Sequence, residues 1–300
     1  MPHPIIGELA IEAELGRNGG PGGGLGALRR RAVPLARRLA GWIGRGLESR
    51  PGVWATALVV PALLLAVWNV VAEAEWVSNL VLPPPALVLQ SLRELWGDGT
   101  IQSNLAISAL RVAKGFSVGA SAGLVLGTAL GLSARFQAYV QPTLMAVYQV
   151  NVMAWLPLLI LVFGIDEPLK TAAIGYASAL PITLNVAKGI AGIPVKWLEL
   201  ARVHRLSRLA TVRRVALPAT LPALFTGVRS GLGAAWTSLV VVELIASSEG
   251  VGFMVVWGRQ LFQLDVVIVA IIVIGVVGLS LDLVLSTLER RLQLWHRSAF

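Results

Sequence analysis

The chain has 300 residues, of which 56% are hydrophobic and only 14% are charged, and its mean hydropathy is +0.74. Soluble domains carry about 25% charged residues, so this composition argues against a soluble enzyme and against disorder over most of the chain. The net charge of +9 fits a nucleic-acid-binding protein or a membrane protein with basic cytoplasmic loops. The absence of cysteine excludes disulfides and Cys-based metal sites, and three histidines leave little material for a His-centred catalytic site.

Residues 1–50 form a basic, glycine-rich segment with eight arginines. Its glycine-rich part cannot build a core, so we predict a cytoplasmic tail that precedes a transmembrane domain at 51–300. The segment 27–46 has the composition of a basic amphipathic helix lying on anionic lipid. An unstructured tail is the alternative, and the sequence leaves both open.

Six stretches are long and apolar enough to cross a bilayer, which takes about 20 such residues. We therefore predict an all-α membrane protein with about six transmembrane helices. The predicted spans lie at 53–72, 110–132, within 136–165, 171–186, 223–244 and 266–285.

The cations concentrate in the connections on one predicted side of the membrane. Eight arginines precede the first span, Arg135 lies between the second and third, seven cations lie at 188–214, and three arginines lie at 290–297. The opposite connections are rich in Asp and Glu. The positive-inside rule then places both termini and the 188–214 segment in the cytoplasm, which requires an even number of spans. The net charge is accounted for without a nucleic-acid partner.

A ridge of glycines marks the second predicted span. Glycine recurs there at every fourth position, from Gly115 to Gly131. Small residues at this spacing let a second helix backbone approach closely, so tight helix packing is favoured over a ligand site. The sequence does not show which helix is the partner.

The segment 188–222 is the one long basic insert between predicted spans. Pro194 is typical of the first turn of a helix. Ser207 is a suitable N-cap for a second short helix that ends before Pro218. Two short helices with a bend between them would suit docking onto a soluble partner.

The segment 188–222 resembles the coupling loop of the permease subunits of bacterial ABC importers, and it is called the coupling loop from here on. Glu199, Ala201, position 205 and Leu217-Pro218 match the spacing of the family's Glu-Ala-Ala–x3–Gly … Leu-Pro motif without a gap. The resemblance implies a coupling helix that docks in a groove of a cytosolic ATPase. The residues it assigns to this role are Glu199, Leu200, Ala201, Arg202, Arg205, Leu206, Ser207, Leu217 and Pro218.

Two positions of the motif depart from the family. Leu200 stands in place of the second alanine, and Arg205 stands in place of glycine. Arginine removes backbone freedom at the elbow and adds a charge to the presumed interface. Either the bend is less sharp than in the family, or the partner ATPase presents a matching acid.

The resemblance extends over roughly 80–297, where the chain is similar to the nitrate/sulfonate/taurine branch of the family. It implies a type I ABC importer permease fold, a bacterial inner-membrane location and a second copy of the chain. It also implies ATPase subunits and a periplasmic binding protein that delivers taurine or another alkanesulfonate. Nitrate, bicarbonate, a pyrimidine precursor or an aromatic acid are alternative substrates. The matching segments are 83–85, 154–160, 163–165, 225–229, 231–236, 243–246, 250–253, 260–269 and 288–291.

The chain lacks the sequence of a nucleotide-binding P-loop. Such a loop needs Gly-Lys before Ser or Thr, and none of the four lysines follows a glycine. We therefore predict a transport subunit without catalytic residues, metal or cofactor, whose ATP hydrolysis takes place in another chain.

Charged residues within or at the ends of spans are functional candidates because charge is costly in lipid. Arg229 and Asp282 both lie near the predicted cytoplasmic ends of their spans, so a structural ion pair is favoured. Glu243 lies near the outer end of its span. It would repel an anion, so a gate or packing role is favoured over ligation.

The third predicted span offers neutral polar and aromatic groups. Gln149, Asn151 and Trp155, together with Glu243, are the candidates for the substrate path; hydrogen bonding between helices is the alternative for the first three. A stand-alone channel or secondary transporter would need ion-coupling carboxylates at mid-membrane. The one deep acid candidate is Glu243, which argues against that class.

Overall fold

The computed structural model describes residues 50–74, 76, 78 and 81–298. Every regular element in this part of the chain is helical, as the sequence predicts. The chain divides into two compact units, Met1–Val70 and Val71–Phe300. The predicted interfacial helix at 27–46 lies outside the described residues and stays a prediction.

The helices follow one another with short connections. Helix α1 occupies the first predicted span and continues through Pro61. A five-residue π-helical turn, Val212–Ala216, joins α8 to α9. The helices are α1 (Arg50–Glu73), α2 (Pro85–Gly97), α3 (Thr100–Leu132), α4 (Ala134–Gln149), α5 (Val152–Phe163), α6 (Glu167–Ala191), α7 (Val195–Val203), α8 (Arg208–Thr211), α9 (Leu217–Ala246), α10 (Val251–Gln260) and α11 (Leu264–Ser298).

Several helices of the described part are long and apolar enough to cross a membrane. Three runs qualify by themselves: Thr100–Leu132, Arg213–Gln260 and Leu264–Arg290. Two bent pairs, α4 with α5 and α6 with Val195–Ala201, qualify when each is counted as one span. The shorter apolar helix Val59–Glu73 lies in the first predicted span. The multi-span prediction is confirmed, whereas the count of six stays a prediction.

The third predicted span is not a straight helix. Helices α4 and α5 meet at an angle of 94°, because Val150 and Asn151 adopt extended ψ values of 111° and 143°. The Asn151 side chain accepts a hydrogen bond from the Met153 N–H at 3.0 Å. Asparagine therefore acts as the N-cap that starts α5.

The glycine ridge of α3 packs against α6 of the same chain. A Cβ added at Gly119 would lie 2.1 Å from Ser178 Oγ and 2.3 Å from the Gly175 carbonyl oxygen. Helix α6 also packs along α9. A buried cluster that includes Ile174 and Leu239 joins these helices. The α3–α6–α9 group is the frame on which the site residues are placed.

Candidate functional site

A buried ionic cluster joins the predicted outer ends of three helices. Glu243 on α9 has no exposed surface. It accepts hydrogen bonds from Ser108 Oγ at 2.8 Å, from Arg111 Nη1 at 2.9 Å and from the Gly252 N–H at 2.9 Å. These contacts join α3, α9 and α10. Separating the helices would leave a buried charge without its partner, which is costly.

Arg111 connects this carboxylate to α6. Its Nη2 lies 2.8 Å from Glu167 Oε1, and Lys170 Nζ lies 2.9 Å from the same oxygen. Arg111 and Lys170 are each 5% exposed. The cluster therefore contains two buried cations and two carboxylates, and its formal charges balance.

The same face of α3 binds the backbone between α9 and α10. Asn104 Oδ1 accepts from the Gly250 N–H at 2.7 Å, and Ser108 Oγ accepts from the Val251 N–H at 3.0 Å. Arg111 Nη1 donates to the Glu249 carbonyl at 2.7 Å. Asn104, Ser108 and Arg111 are spaced at i, i+4 and i+7, which places them on one helix face.

The sequence pattern points to Glu243 but not to Arg111 or Glu167. Glu243 lies among packing contacts and is not among the residues that line the cavity described next, and its role stays a prediction. The sequence signal for Arg111 is the polar stripe of Asn104, Ser108 and Arg111 in the first third of α3.

A cavity of about 460 Å³ lies at the break between α4 and α5. Gln149 and Asn151 line it, whereas Trp155 lies beside it with its ring centroid 6.3 Å from that of Tyr176. None of the lining residues is an acid, lysine, arginine or histidine. The lining comprises Tyr148, Gln149, Val150, Asn151, Val152, Met153, Tyr176, Ala177, Ala234, Thr237, Ser238 and Val241.

The structure brings Arg229 and Asp282 together. Arg229 Nε lies 2.8 Å from Asp282 Oδ1 and Nη2 lies 3.0 Å from Oδ2, so the pairing is bidentate. Arg229 Nη1 also lies 3.1 Å from Glu289 Oε2. These contacts tie α9 to α11, and a structural role for the pair stays a prediction.

The coupling loop contains two short helices with a turn between them. Helix α7 begins directly after Pro194 and ends at Val203, and Ser207 Oγ accepts from the Ala210 N–H at 3.3 Å. Helix α8 ends at Thr211, before Pro218. The π-helical turn Val212–Ala216 then leads into α9, and Pro218 lies in the first turn of α9, where no amide donor is required.

Arg205 has a φ of 49°, in the left-handed region that favours glycine. The Leu206 N–H donates to the Ala201 carbonyl at 3.0 Å, which is the 6→1 bond of a Schellman helix end. Arg205 therefore adopts a backbone conformation that favours glycine, and the helix end at the elbow has this hydrogen bond with arginine in place.

An apolar groove of about 310 Å³ opens beside this elbow. Ala201 is buried, whereas Glu199, Leu200 and Arg205 are exposed. The side chain of Arg202 lies outside the described part of the chain. The groove is lined by Trp197, Leu200, Ala201, His204, Leu206, Arg214, Val215 and Pro218. In the described part of the chain, no group of three or more Asp, Glu, His or Cys side chains is arranged to hold a metal ion.

Residues 119–294 match the model of the binding-protein-dependent transport system inner membrane component family. The chain belongs to this family of ABC importer permeases. The family is therefore the one indicated by the coupling-loop motif, and the protein is a multi-pass membrane component of an importer.

Individual relatives place the permease in the sulfonate, taurine and nitrate branch. The putative aliphatic sulfonates transport permease SsuC of Bacillus subtilis is 39% identical over 82% of this chain and 89% of its own length. The taurine transport system permease TauC of Escherichia coli is 35% identical over 78% and 87%. The nitrate import permease NrtB of Leptolyngbya laminosa is 32% identical over 76% and 84%. All three are named as transport subunits, which agrees with the prediction that the chain is not an enzyme.

Proposed function

We propose that this permease imports an alkanesulfonate such as taurine. The observation that carries the proposal is the 39% identity to the aliphatic sulfonates permease and the 35% identity to the taurine permease, each over more than three quarters of the chain. The nitrate permease is less similar, at 32%. Both termini face the cytoplasm in this proposal, as the distribution of cations indicates.

The cavity at the α4–α5 break is the proposed substrate path. Its polar side chains are neutral: the amides of Gln149 and Asn151 and the hydroxyls of Tyr148, Tyr176, Thr237 and Ser238. Neutral hydrogen-bond donors stabilise a bound anion less than positively charged donors do, so a sulfonate would be held weakly there. Weak binding suits a cavity that must release its cargo in every cycle.

The proposed machine contains two copies of the permease, ATPase subunits and a periplasmic binding protein. The exposed arm of α7 and the elbow at Arg205 would contact the ATPase. ATP binding would bring the two coupling loops together and switch the cavity from inward-facing to outward-facing. The residues proposed for this contact are those that the family resemblance assigned.

Substrate identity is tested by reconstituting the permease with the ATPase and binding protein of its own transport system. ATP-driven uptake of taurine, a longer alkanesulfonate and nitrate is compared in the same proteoliposomes. We expect uptake of at least one sulfonate and little uptake of nitrate. Uptake of nitrate without uptake of any sulfonate would overturn the substrate proposal and leave the family assignment intact.

A further inference from the structure

Tyr176 on α6 contacts both arms of the broken pair. Its hydroxyl donates toward the Val147 carbonyl at 2.7 Å and the Val150 carbonyl at 3.1 Å. Val147 lies in the last turn of α4, and Val150 directly follows that helix. Its ring lies against the ring of Trp155 on α5, with centroids 6.3 Å apart and planes inclined at 60°. One side chain therefore touches the break from the α6 side of the cavity.

The end of α4 leaves carbonyls that need donors from outside the helix. The last four carbonyls of a helix have no partner within the helix, and non-helical backbone at membrane depth takes its partners from neighbouring protein or from a water-filled cavity. The Val147 carbonyl also accepts from the Val150 N–H at 3.2 Å. Val150 lies between the two helices. The Tyr176 hydroxyl supplies the donor that a straight helix would have supplied.

Few buried apolar contacts fix α4 in place. No residue of α4 is buried. By contrast, α6 buries eleven residues along its length, and α5 packs Leu156, Val152, Leu159 and Ile160 into an apolar cluster with residues of α6 and α9. Local opening is easiest where few apolar contacts are buried, so α4 is the part of this cavity wall best able to move at the break.

We propose that the Tyr176 hydroxyl is a latch that sets the position of the α4–α5 break and, with it, of Gln149 and Asn151 over the cavity. Tyr176 is a positioning residue for the cargo. When the latch is released, the break swings and the cavity changes its exposure. The proposal rests on the proposed function only in treating this cavity as the substrate path.

The chain offers a matched control for this latch. Tyr148 lines the same cavity, but no hydrogen bond is described for its hydroxyl. Tyr176→Phe and Tyr148→Phe each remove one oxygen atom from a tyrosine facing the same space. A general effect of cavity polarity would appear in both variants, and an effect of the latch would appear in Tyr176→Phe alone.

The chain has no cysteine, so a single thiol can report on the cavity. Met153 lines the cavity and is 54% exposed, and we place Met153→Cys in each tyrosine variant. The rate of maleimide modification is measured on the complex with its ATPase, without nucleotide and with ATP trapped by vanadate. We expect Tyr176→Phe to raise the nucleotide-free rate about fivefold, as for the loss of one hydrogen bond, and to reduce the difference between the two nucleotide states.

Equal modification rates in the Tyr176→Phe and Tyr148→Phe backgrounds would overturn the latch. A general loss of stability would raise the modification rate in both nucleotide states alike, whereas loss of the latch raises it in the nucleotide-free state, so a merely structural role is distinguished. If Tyr176→Phe does not fold, Tyr176→Met, which also lacks the donor and has a flexible apolar side chain, takes its place. Its nucleotide-free rate is expected to exceed that of Tyr148→Phe, and equality would again overturn the proposal.

A separate arm tests the path itself. Modification of Met153→Cys is repeated during ATP-driven turnover with the binding protein added empty or loaded with taurine. Slower modification with the loaded protein supports the path. An unchanged rate argues against the cavity as the path, while the Tyr176→Phe comparison still decides the latch.

Discussion

At the scale of single residues, Glu243 is the acceptor on which three helices converge. Its carboxylate receives donors from Ser108, Arg111 and Gly252. Glu243→Gln keeps the size of the side chain but removes the charge opposite the buried Arg111. We expect the free energy of unfolding to fall by about 3 kcal/mol, because the buried Arg111 loses one of its two carboxylate partners. The loss is not larger because Arg111 keeps Glu167. The measurement is thermal unfolding of the purified permease in detergent.

Glu249→Gln is the control for this substitution. The Glu249 side chain is exposed, although its backbone carbonyl accepts from Arg111. Exposed substitutions of this kind change stability by about 0.5 kcal/mol or less. If Glu243→Gln unfolds at the same temperature as Glu249→Gln, the charge of Glu243 does not stabilise the contact between α3, α9 and α10.

Arg205 gives a second prediction at this scale. A residue other than glycine in the left-handed region is strained by about 1 kcal/mol, so Arg205→Gly should stabilise the elbow. We expect the Leu206 amide, which bonds the Ala201 carbonyl, to exchange its hydrogen about fivefold more slowly. Glu199→Gly, inside α7, should have the opposite effect because glycine destabilises a helix interior. Faster exchange in Arg205→Gly would contradict the interpretation of the elbow.

At the scale of elements, the glycine ridge determines how closely α3 approaches α6. In Gly119→Ala the new methyl group would lie 2.3 Å from the Gly175 carbonyl oxygen and 2.9 Å from the Gly175 Cα. Backbone atoms cannot move aside as a flexible side chain can, so the helices must separate. We expect a loss of about 1–3 kcal/mol, as for overpacking, measured as a lower melting temperature.

Gly233→Ala on α9 is the matched control, because an added Cβ there meets no atom within 4 Å. In that exposed helical position alanine should be neutral or slightly stabilising. Equal melting temperatures for the two variants would show that the ridge tolerates a larger spacing between α3 and α6.

The elements show how much a single sequence can predict. The spacing of Gly115 to Gly131 predicted close packing, but not the partner helix, since spacing on one helix says nothing about its neighbour. The break at Val150 and Asn151 is not predicted, because no charged residue interrupts 136–165. Asn151 was noted as a polar group for the path, whereas its side chain also caps α5.

The cluster around Glu243 shows the same limit. Its members Arg111, Glu167 and Glu243 lie 56 to 132 residues apart in the chain. Glu167 was assigned to an acidic outer connection, and Arg111 was included in a predicted span without comment. Tertiary packing alone brings them together, so no local pattern contains the pairing.

At the scale of the whole permease, charge and cavity alternate along α9. Arg229 pairs with Asp282 toward one end, and Glu243 pairs with Arg111 toward the other. Arg229 and Glu243 are fourteen positions apart, which corresponds to about 21 Å of helix. Thr237 and Ser238, which line the neutral cavity, lie between these pairs. The ionic contacts therefore fix the two ends of α9, while the proposed path lies between them without a fixed charge.

The proposed coupling to an ATPase is tested by reversing charge at the elbow. The double substitution Glu199→Arg with Arg205→Glu should reduce co-purification of the ATPase by about tenfold, since like charges across an interface cost affinity. Arg135→Glu, an exposed arginine on the same predicted side, is the control and should retain the ATPase. Unchanged association in the double variant would contradict the docking assignment.

Orientation is a property of the whole chain, and the absence of cysteine makes it directly measurable. Glu249→Cys lies at an exposed position in the connection after α9, and Arg205→Cys at the exposed elbow. Because cytoplasmic loops carry an excess of Lys and Arg, we expect a membrane-impermeant maleimide to label Glu249→Cys in cells whose inner membrane is intact. Arg205→Cys should react only after that membrane is permeabilised. Labelling of Arg205→Cys in intact cells would contradict the proposed orientation. It would place the coupling loop outside the cell membrane, where no cytosolic ATPase could reach it.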